Sequence, residues 1–249
     1  MDARHPAHEP NSPYANAIHD YYCHVDRRVG ELLGRCSEET AVLVVSDHGA
    51  KPLMGGICLN EWLIQQGYLV LKETPSTPTP LDQVEVDWSQ TKAWGAGGYY
   101  GRVFLNVKGR EPQGVIPLAD YEKVRSQLAE SLTHITDPDG NALNIKPFKP
   151  QQIYQKVRGI APDLLVYFDD LAWRSIGTVG YGSIHTIEND TGADDANHAQ
   201  YGLAIFYDPK QPKAGQQIDG AQLYDILPTL LHRYTIEPPK GLRGKVLDW

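Results

Sequence analysis

The chain has 249 residues, 41% of them hydrophobic, which is enough to bury a sizeable core in one domain. Its formal net charge of −8 and the lack of a Lys/Arg cluster argue against a surface for nucleic acid polymers. The three cysteines, Cys23, Cys36 and Cys58, have neither zinc-thiolate spacing nor an even number, so reduced cytoplasmic thiols are the simplest interpretation. No apolar run approaches the roughly 20 residues of a membrane helix. Composition therefore predicts a soluble, cytoplasmic protein with a single α/β domain over residues 1–249 and no membrane partner.

A long helix is predicted after an initial proline-containing loop. Ser12 followed by Pro13 suits an N-cap and the first helical position. From Ile18 to Leu33, apolar residues recur every three or four positions. This spacing predicts one helix with a single apolar face, ending near Gly34.

Residues 42–45 (Val-Leu-Val-Val) are a short apolar run of mostly β-branched residues, which predicts a central parallel strand buried on both faces. Asp47 and His48 follow its carboxyl end, where ligands bind in open α/β sheets. Gly49 lets the backbone turn sharply after them. The residue types alone leave two interpretations open, because Asp is also a common turn residue and His48 could simply be polar.

The remaining pattern alternates between helices and strands. A glycine-rich segment at 95–101 lacks the G-x-G-x-x-G spacing and is predicted to form turns. Residues 177–197, rich in Gly, Asp and Thr, are predicted as a long irregular loop, a kind that is often functional. Helices are predicted over 60–66, 118–132, 151–155 and 223–231, and strands over 68–71, 102–107, 164–168 and 202–207.

Among the nine histidines, His198 is the best partner for Asp47 and His48. It ends the irregular loop and precedes a predicted strand, so it could return to the carboxyl edge of the sheet. A set of one carboxylate and two imidazoles suits zinc or manganese better than calcium.

Two other groups of residues are interpreted as structural. Asp20 and His24 stand four residues apart on one helical face, which could ligate a metal, but a local contact on the solvated flank is favoured. Four further histidines in loops or at helix ends are predicted to be plain polar side chains: His5, His8, His134 and His232.

Six segments, taken in order, resemble the type I phosphodiesterase and nucleotide pyrophosphatase family of the alkaline phosphatase superfamily. The resemblance runs from about residue 5 to the end of the chain. The segments are residues 46–49 (Ser-Asp-His-Gly), 57–67, 109–114, 161–163 (Ala-Pro-Asp), 197–198 (Asn-His) and 225–229.

The resemblance implies a three-layer α/β/α fold with a mostly parallel central sheet and a site with two divalent ions, usually zinc, with manganese as the alternative. Carried over residue by residue, Asp47 and His48 bind the first ion and His198 binds the second. The implied reaction is in-line hydrolysis of a phosphodiester or pyrophosphate bond in a small-molecule phosphate ester, through a Thr or Ser nucleophile bound to the first ion.

The chain departs from the family in one respect. No segment was identified as the family's upstream metal-binding Asp, its nucleophile or its Asp-x-x-x-His pair. We therefore expect this chain to be the C-terminal portion of an alkaline-phosphatase-like catalytic domain, inactive alone, binding metal weakly, and partnered by a separate N-terminal half. We also expect apolar surface along the strand edge where that half packs.

Two alternatives remain open at the level of sequence. One is a phosphomutase or phosphomonoesterase of the same superfamily, and the other is a non-catalytic pseudoenzyme that binds a partner. The substrate is not specified, because the candidate contacts, Tyr99, Tyr100 and the 177–197 loop, could serve many substrates.

Overall fold

The computed structural model of the chain describes residues 3–188, 195–210 and 215–248. The chain divides into two compact units, each with its own internal contacts. Unit 1 comprises residues 1–10 and 50–199, and unit 2 comprises residues 11–49 and 200–249. The single domain over residues 1–249 stays a prediction. No helix in the described part of the chain is long and apolar enough to span a bilayer.

Five helices and eleven strands are formed by the described residues. The helices are α1 (Ala17–Leu33), α2 (Leu59–Gln65), α3 (Tyr121–Leu132), α4 (Pro150–Ile153) and α5 (Leu223–Arg233). The strands are β1 (Val42–Val45), β2 (Gly49–Pro52), β3 (Gly55–Cys58), β4 (Ala93–Ala96), β5 (Gly101–Leu105), β6 (Lys146–Phe148), β7 (Leu164–Tyr167), β8 (Trp173–Ile176), β9 (His185–Thr186), β10 (Ala196–Ala199) and β11 (Ala204–Tyr207).

Unit 1 is built around an antiparallel sheet in the order β4-β5-β7-β6. Helix α2 contacts β4 and helix α3 contacts β6, so both helices cover this sheet. Their buried side chains join those of the strands in one apolar cluster, which includes Leu59, Leu63, Val103, Leu105, Leu128, Leu132, Leu164, Val166 and Phe168. The core of unit 1 therefore lies between this sheet and its two helices.

The predicted mostly parallel central sheet is wrong for the described strands. Four small sheets form instead, and of the pairings with a described register only β3 with β8 is parallel. The apolar run of β1 suggested a parallel strand, but an apolar run is equally compatible with an antiparallel strand, as β7 shows. In β7, Leu164, Leu165 and Val166 are buried in unit 1.

Strand β1 is not buried on both faces, contrary to the prediction. Among the described strands it pairs with β11 alone, in an antiparallel two-stranded sheet, and Val44 and Val45 are exposed. Helix α1 likewise has no buried residue, although its apolar stripe is present in the sequence. A two-stranded sheet has too little area to cover either apolar face. The expected apolar surface at this strand is thus observed in unit 2.

Most predicted elements of unit 1 are found within a few residues of their expected positions, namely α2, β5, α3, α4 and β7. Helix α1 begins at Ala17 rather than after Ser12, since residues 13–16 form turns. Asn16 is the N-cap residue of the helix, but its side chain makes no capping hydrogen bond. Residues 68–71 form no strand, and only Leu71 makes a bridge, to Val86. Gly67 has the positive φ expected of a residue that ends a helix.

The carboxylate of Asp163 ties two of the six family-like segments together. Its side chain is 3% exposed and accepts hydrogen bonds from Arg110 at 2.7 and 2.8 Å, from the Tyr121 hydroxyl at 2.6 Å and from the Leu105 amide at 2.6 Å. The hydrogen bond to Asp163 raises the pKa of Arg110 above its usual value, against the opposing effect of burial. This network joins residues 110 and 163 at the end of β5 and the start of β7, the two inner strands of the sheet of unit 1.

Helix α2 is anchored by two buried polar side chains. The Asn60 amide donates to the carbonyl oxygens of Gly95 and Gly177 and accepts from the Gly95 amide. Glu61 Oε1 accepts from the backbone amides of Gly180 and Tyr181, at 2.6 and 3.0 Å. These bonds satisfy backbone groups that packing would otherwise leave without partners.

Unit 2 has a similar anchor at the start of α5. Asp225 accepts from the amides of Gln222 and Lys245, which completes a capping box. Thr229 donates to the Asp225 carbonyl and accepts from the Leu247 amide. The helix continues through Pro228 to Arg233. The side chains of Asp225 and Thr229 bind the backbone of residues 245 and 247, which follow the helix.

We predict that Asp163→Asn lowers the free energy of unfolding of unit 1 by roughly 2–3 kcal/mol, because the amide cannot accept from all of these donors. Urea titration followed by tryptophan fluorescence measures this loss, since Trp62, Trp88, Trp94 and Trp173 all belong to unit 1. The matched control is Asp139→Asn, in an exposed turn. Equal stabilities of the two variants would show that the network does not hold unit 1.

We also predict that stability falls as the pH rises above about 10, the value at which an unfolded tyrosine ionises. Burial and the bond to Asp163 raise the pKa of Tyr121, and burial raises that of Tyr167. The folded state then holds protons that the unfolded state has lost, so rising pH favours unfolding.

Urea titrations across this alkaline range test that expectation. Tyr121→Phe should have a shallower pH dependence than the parent chain. Tyr14→Phe, which changes a ring that is 77% exposed, should match the parent. A pH dependence unchanged in Tyr121→Phe would contradict the role assigned to Tyr121.

Candidate functional site

Asp47 and His48 lie directly after β1, as the sequence predicts. Ser46 fixes this end of the strand, because its amide donates to the Leu203 carbonyl and its hydroxyl accepts from the Leu203 amide. A Cβ atom at Gly202 would collide with the Ser46 hydroxyl, so only glycine fits beside it. Ser46 therefore positions the two residues that follow it.

The ring of His48 has a defined tautomer. Its Nδ1 lies 2.8 Å from the Gly49 carbonyl oxygen, which can only accept, so Nδ1 carries the proton. Nε2 is then the unprotonated nitrogen, the one that can donate a lone pair to a metal, and a backbone bond at the other ring nitrogen is the arrangement that orients ligating histidines. This Nε2 lies 3.6 Å from Asp47 Oδ2. The His48 amide also donates to Asp47 Oδ1, which holds the carboxylate in place.

The spacing of these two atoms suits one shared divalent ion. Ligand atoms that bind one zinc at about 2.0–2.2 Å in tetrahedral geometry lie roughly 3.4 Å apart, close to the observed separation. Both side chains are accessible to an incoming ion, with 77% of Asp47 and 44% of His48 exposed. Two donors do not complete a site, and no group of three or more His, Cys, Asp or Glu side chains suited to a metal occurs within residues 3–188, 195–210 and 215–248.

His198 lies in strand β10 of unit 1, rather than in a loop before a strand. The edge of the Tyr99 ring packs on its imidazole, with the ring centroids 4.1 Å apart. Its amide donates to the side chain of Asn197, whose own amide group donates to the Leu171 carbonyl. Asp47 and His48 belong to unit 2, so the three predicted ligands are divided between the units.

Asn197 links His198 to a strained turn. Asp169, Asp170 and Leu171 all have positive φ, between 49° and 69°, which is uncommon for residues other than glycine. Lys51 supports the same turn by donating to the carbonyl and the carboxylate of Asp170. The sequence pattern singled out Asn197 only as the neighbour of His198, and its structural role requires the tertiary contacts.

Two of the four histidines predicted to be plain polar side chains have more specific surroundings. His5 is buried, with Nε2 2.6 Å from the Leu53 carbonyl and Nδ1 accepting from the Ala7 amide. Its prediction as an ordinary polar residue is wrong, because the ring is a buried structural link. His8 Nδ1 is a buried atom with no hydrogen-bond partner among the described residues. A buried nitrogen without a hydrogen-bond partner calls for an explanation, and a metal ligand position is one. His8 is therefore added to the candidate ligands.

Asp20 and His24 remain outside the candidate site. Asp20 Oδ1 pairs with His19 Nδ1 at 3.1 Å, and the His24 ring stacks on Tyr21. Both residues lie on the exposed helix α1. The local-contact interpretation fits these observations, with His19 rather than His24 as the partner of the carboxylate.

We predict that Asn197→Ala loosens β10 around His198, because two backbone groups lose their partner and a buried group left unpaired costs about 1–3 kcal/mol. Hydrogen exchange at the His198 amide should accelerate accordingly. The control is Asn144→Ala, since Asn144 is exposed and only its backbone makes a described bond. Exchange at His198 that is equally slow in both variants would contradict the positioning role of Asn197.

The sequence model of the family described as type I phosphodiesterase / nucleotide pyrophosphatase matches residues 2–194. The match includes the Ser-Asp-His-Gly segment and the segments that contain Asn60, Arg110 and Asp163, and it ends before Asn197 and His198. Searches of curated proteins and of solved structures gave no match. Because the match covers well over half of its length, the chain belongs to the type I phosphodiesterase / nucleotide pyrophosphatase family.

Proposed function

We propose that the chain is part of a metal-dependent hydrolase of phosphodiester or pyrophosphate bonds in a small-molecule substrate. Family membership supports phosphoric-ester hydrolysis as the reaction class. The observation that carries the metal dependence is the pairing of Asp47 Oδ2 with His48 Nε2 at 3.6 Å, with the imidazole tautomer already set for a ligand. This pair lies inside the segment that the family matches.

Asp47 and His48 hold one divalent ion, and His198 contributes to a second. His8 is the further candidate for the second ion, because it belongs to unit 1 with His198 and has a buried ring nitrogen without a partner. Imidazole and carboxylate donors favour zinc, with manganese as the alternative. When bound, such ions stabilise negative charge on the attacking and leaving oxygens of a phosphoryl group.

We further propose that another polypeptide segment completes the catalytic unit. No residue of this chain is assigned as the nucleophile, and three or four ligands shared between two ions leave both coordination spheres open. The apolar faces of β1 and α1 support this proposal, since Val44, Val45 and the stripe of α1 are exposed in unit 2. A half-domain that adds strands beside β1 would cover them, and burial of apolar surface would drive the association.

The metal site is tested by calorimetric titration of the chain with Zn²⁺. We expect weak binding, and we expect His48→Ala to lower the zinc affinity by at least about tenfold. Loss of a residue that merely supports a ligand already lowers metal affinity by about tenfold or more, and loss of the ligand itself should cost at least as much. His134→Ala is the control, because that exposed ring contacts only the Glu130 carbonyl. Zinc binding that is unchanged by His48→Ala would overturn the assignment of this pair.

Activity is tested with bis(4-nitrophenyl) phosphate in the presence of zinc. We expect no turnover above background by residues 1–249 alone, and turnover when a polypeptide that supplies the nucleophile and the missing ligands is produced together with the chain. Preference for 4-nitrophenyl phosphate would instead indicate a monoesterase or mutase, and inactivity in both forms would indicate a binding module. Turnover by the isolated chain, abolished by His198→Ala, would contradict the completion proposal.

A further inference from the structure

A groove on unit 1 is lined by none of the residues assigned to the metal ions. It has a volume of about 280 Å³ and lies between strand β5, strand β7 and the segment that follows α4. Pro162 and Leu165 form part of its apolar lining, and Tyr100 and Tyr154 add aromatic surface. This volume is slightly below the usual range for small-molecule sites, so the groove fits a ligand of one ring with a substituent.

The lining of this groove is positively charged, although the chain as a whole has a net charge of −8. Arg102, Lys156 and Arg158 all line it, and no Asp or Glu does. Arg102 donates a hydrogen bond to the Gly97 carbonyl. Arg102, Lys156 and Arg158 take part in none of the ion pairs found among residues 3–188, 195–210 and 215–248. Three cations therefore line the groove without a counter-ion from the described part of the chain.

One aromatic ring of the lining is held in place by neighbouring rings. Tyr100 packs on Tyr167, with centroids 5.6 Å apart, and Tyr167 is packed edge-on by Phe148 at 5.5 Å. Tyr154 also lines the groove and is 54% exposed, so a ligand can reach its side chain. A tyrosine ring presents a flat surface on which another ring can stack, and a ring that is already fixed, as in Tyr100, does so at little entropic cost.

We propose that this groove binds a small molecule in which a phosphate or phosphonate group is attached to a flat ring. The two guanidinium groups and the ammonium group bind the oxyanion, for which the planar donor fork of arginine is well suited. Tyr154 and Tyr100 bind the ring. The site is separate from the proposed catalytic ligands, and its test does not depend on the proposed function.

The probe is phenylphosphonate, which has no ester bond to hydrolyse, titrated in the presence of a metal chelator so that no metal site contributes. We expect saturable binding, roughly millimolar or tighter, as suits a ligand of this size. Methylphosphonate, which lacks the ring, and benzyl alcohol, which lacks the anion, should each bind at least about tenfold more weakly. Absence of saturation by phenylphosphonate, or equal binding of methylphosphonate, would overturn the proposal.

Variants separate the two halves of the site. The double variant Lys156→Gln/Arg158→Gln should lose about tenfold or more in affinity, because it removes two charge-assisted contacts. Lys123→Gln, an exposed cation on α3 outside the groove, is the control. Tyr154→Ala should weaken binding whereas Tyr154→Phe should retain it, since stacking requires the ring and not the hydroxyl. Wild-type affinity in the double variant would show that the groove is not the binding site.

Discussion

Unit 1 depends on one buried carboxylate. Asp163 accepts four hydrogen bonds, two of them from the forked guanidinium of Arg110, and thereby joins the end of β5 to the start of β7. Removing a carboxylate from water costs free energy, which the hydrogen bonds to Asp163 offset only when all of the donors are present. The loss of one donor therefore weakens the whole network. Asn60 and Glu61 anchor helix α2 in a similar way, through hydrogen bonds of their side chains to backbone amides and carbonyls. These polar side chains thus hold together the strands and the helix that form the apolar core of unit 1.

Most of the segments that made the sequence resemble its family have such structural roles. Of the six ordered segments, those around Asn60, Arg110, Asp163 and Asp225 hold backbone elements together, and only those around Asp47 and His198 offer ligand atoms. Family resemblance therefore reports the scaffold more than the chemistry. Even within the Ser-Asp-His-Gly segment the roles divide, since Ser46 secures the end of β1, whereas Asp47 and His48 are the proposed metal ligands.

The sequence predicted local structure where periodicity and caps were strong, as in α2, α3 and β5, and it placed Asp47 and His48 after a strand. It did not predict how strands pair, because an apolar run such as β1 is compatible with parallel or antiparallel neighbours and with one partner or two. The role of His5 was missed for a related reason. Its burial depends on a carbonyl 48 residues away, at Leu53, and no local pattern records that contact.

The proposed function requires that Asp47 and His48 bind one divalent ion together. His48 Nδ1 donates to the Gly49 carbonyl and the His48 amide donates to Asp47, so both side chains are held in place, and their exposure to solvent leaves room for further ligands. X-ray absorption at the zinc edge, on the chain with one equivalent of zinc, tests this most directly. Our account predicts a first shell of nitrogen and oxygen only, at about 2.0–2.2 Å. A sulfur shell near 2.3 Å would contradict it, because the zinc would then be bound by an exposed cysteine such as Cys23 or Cys36.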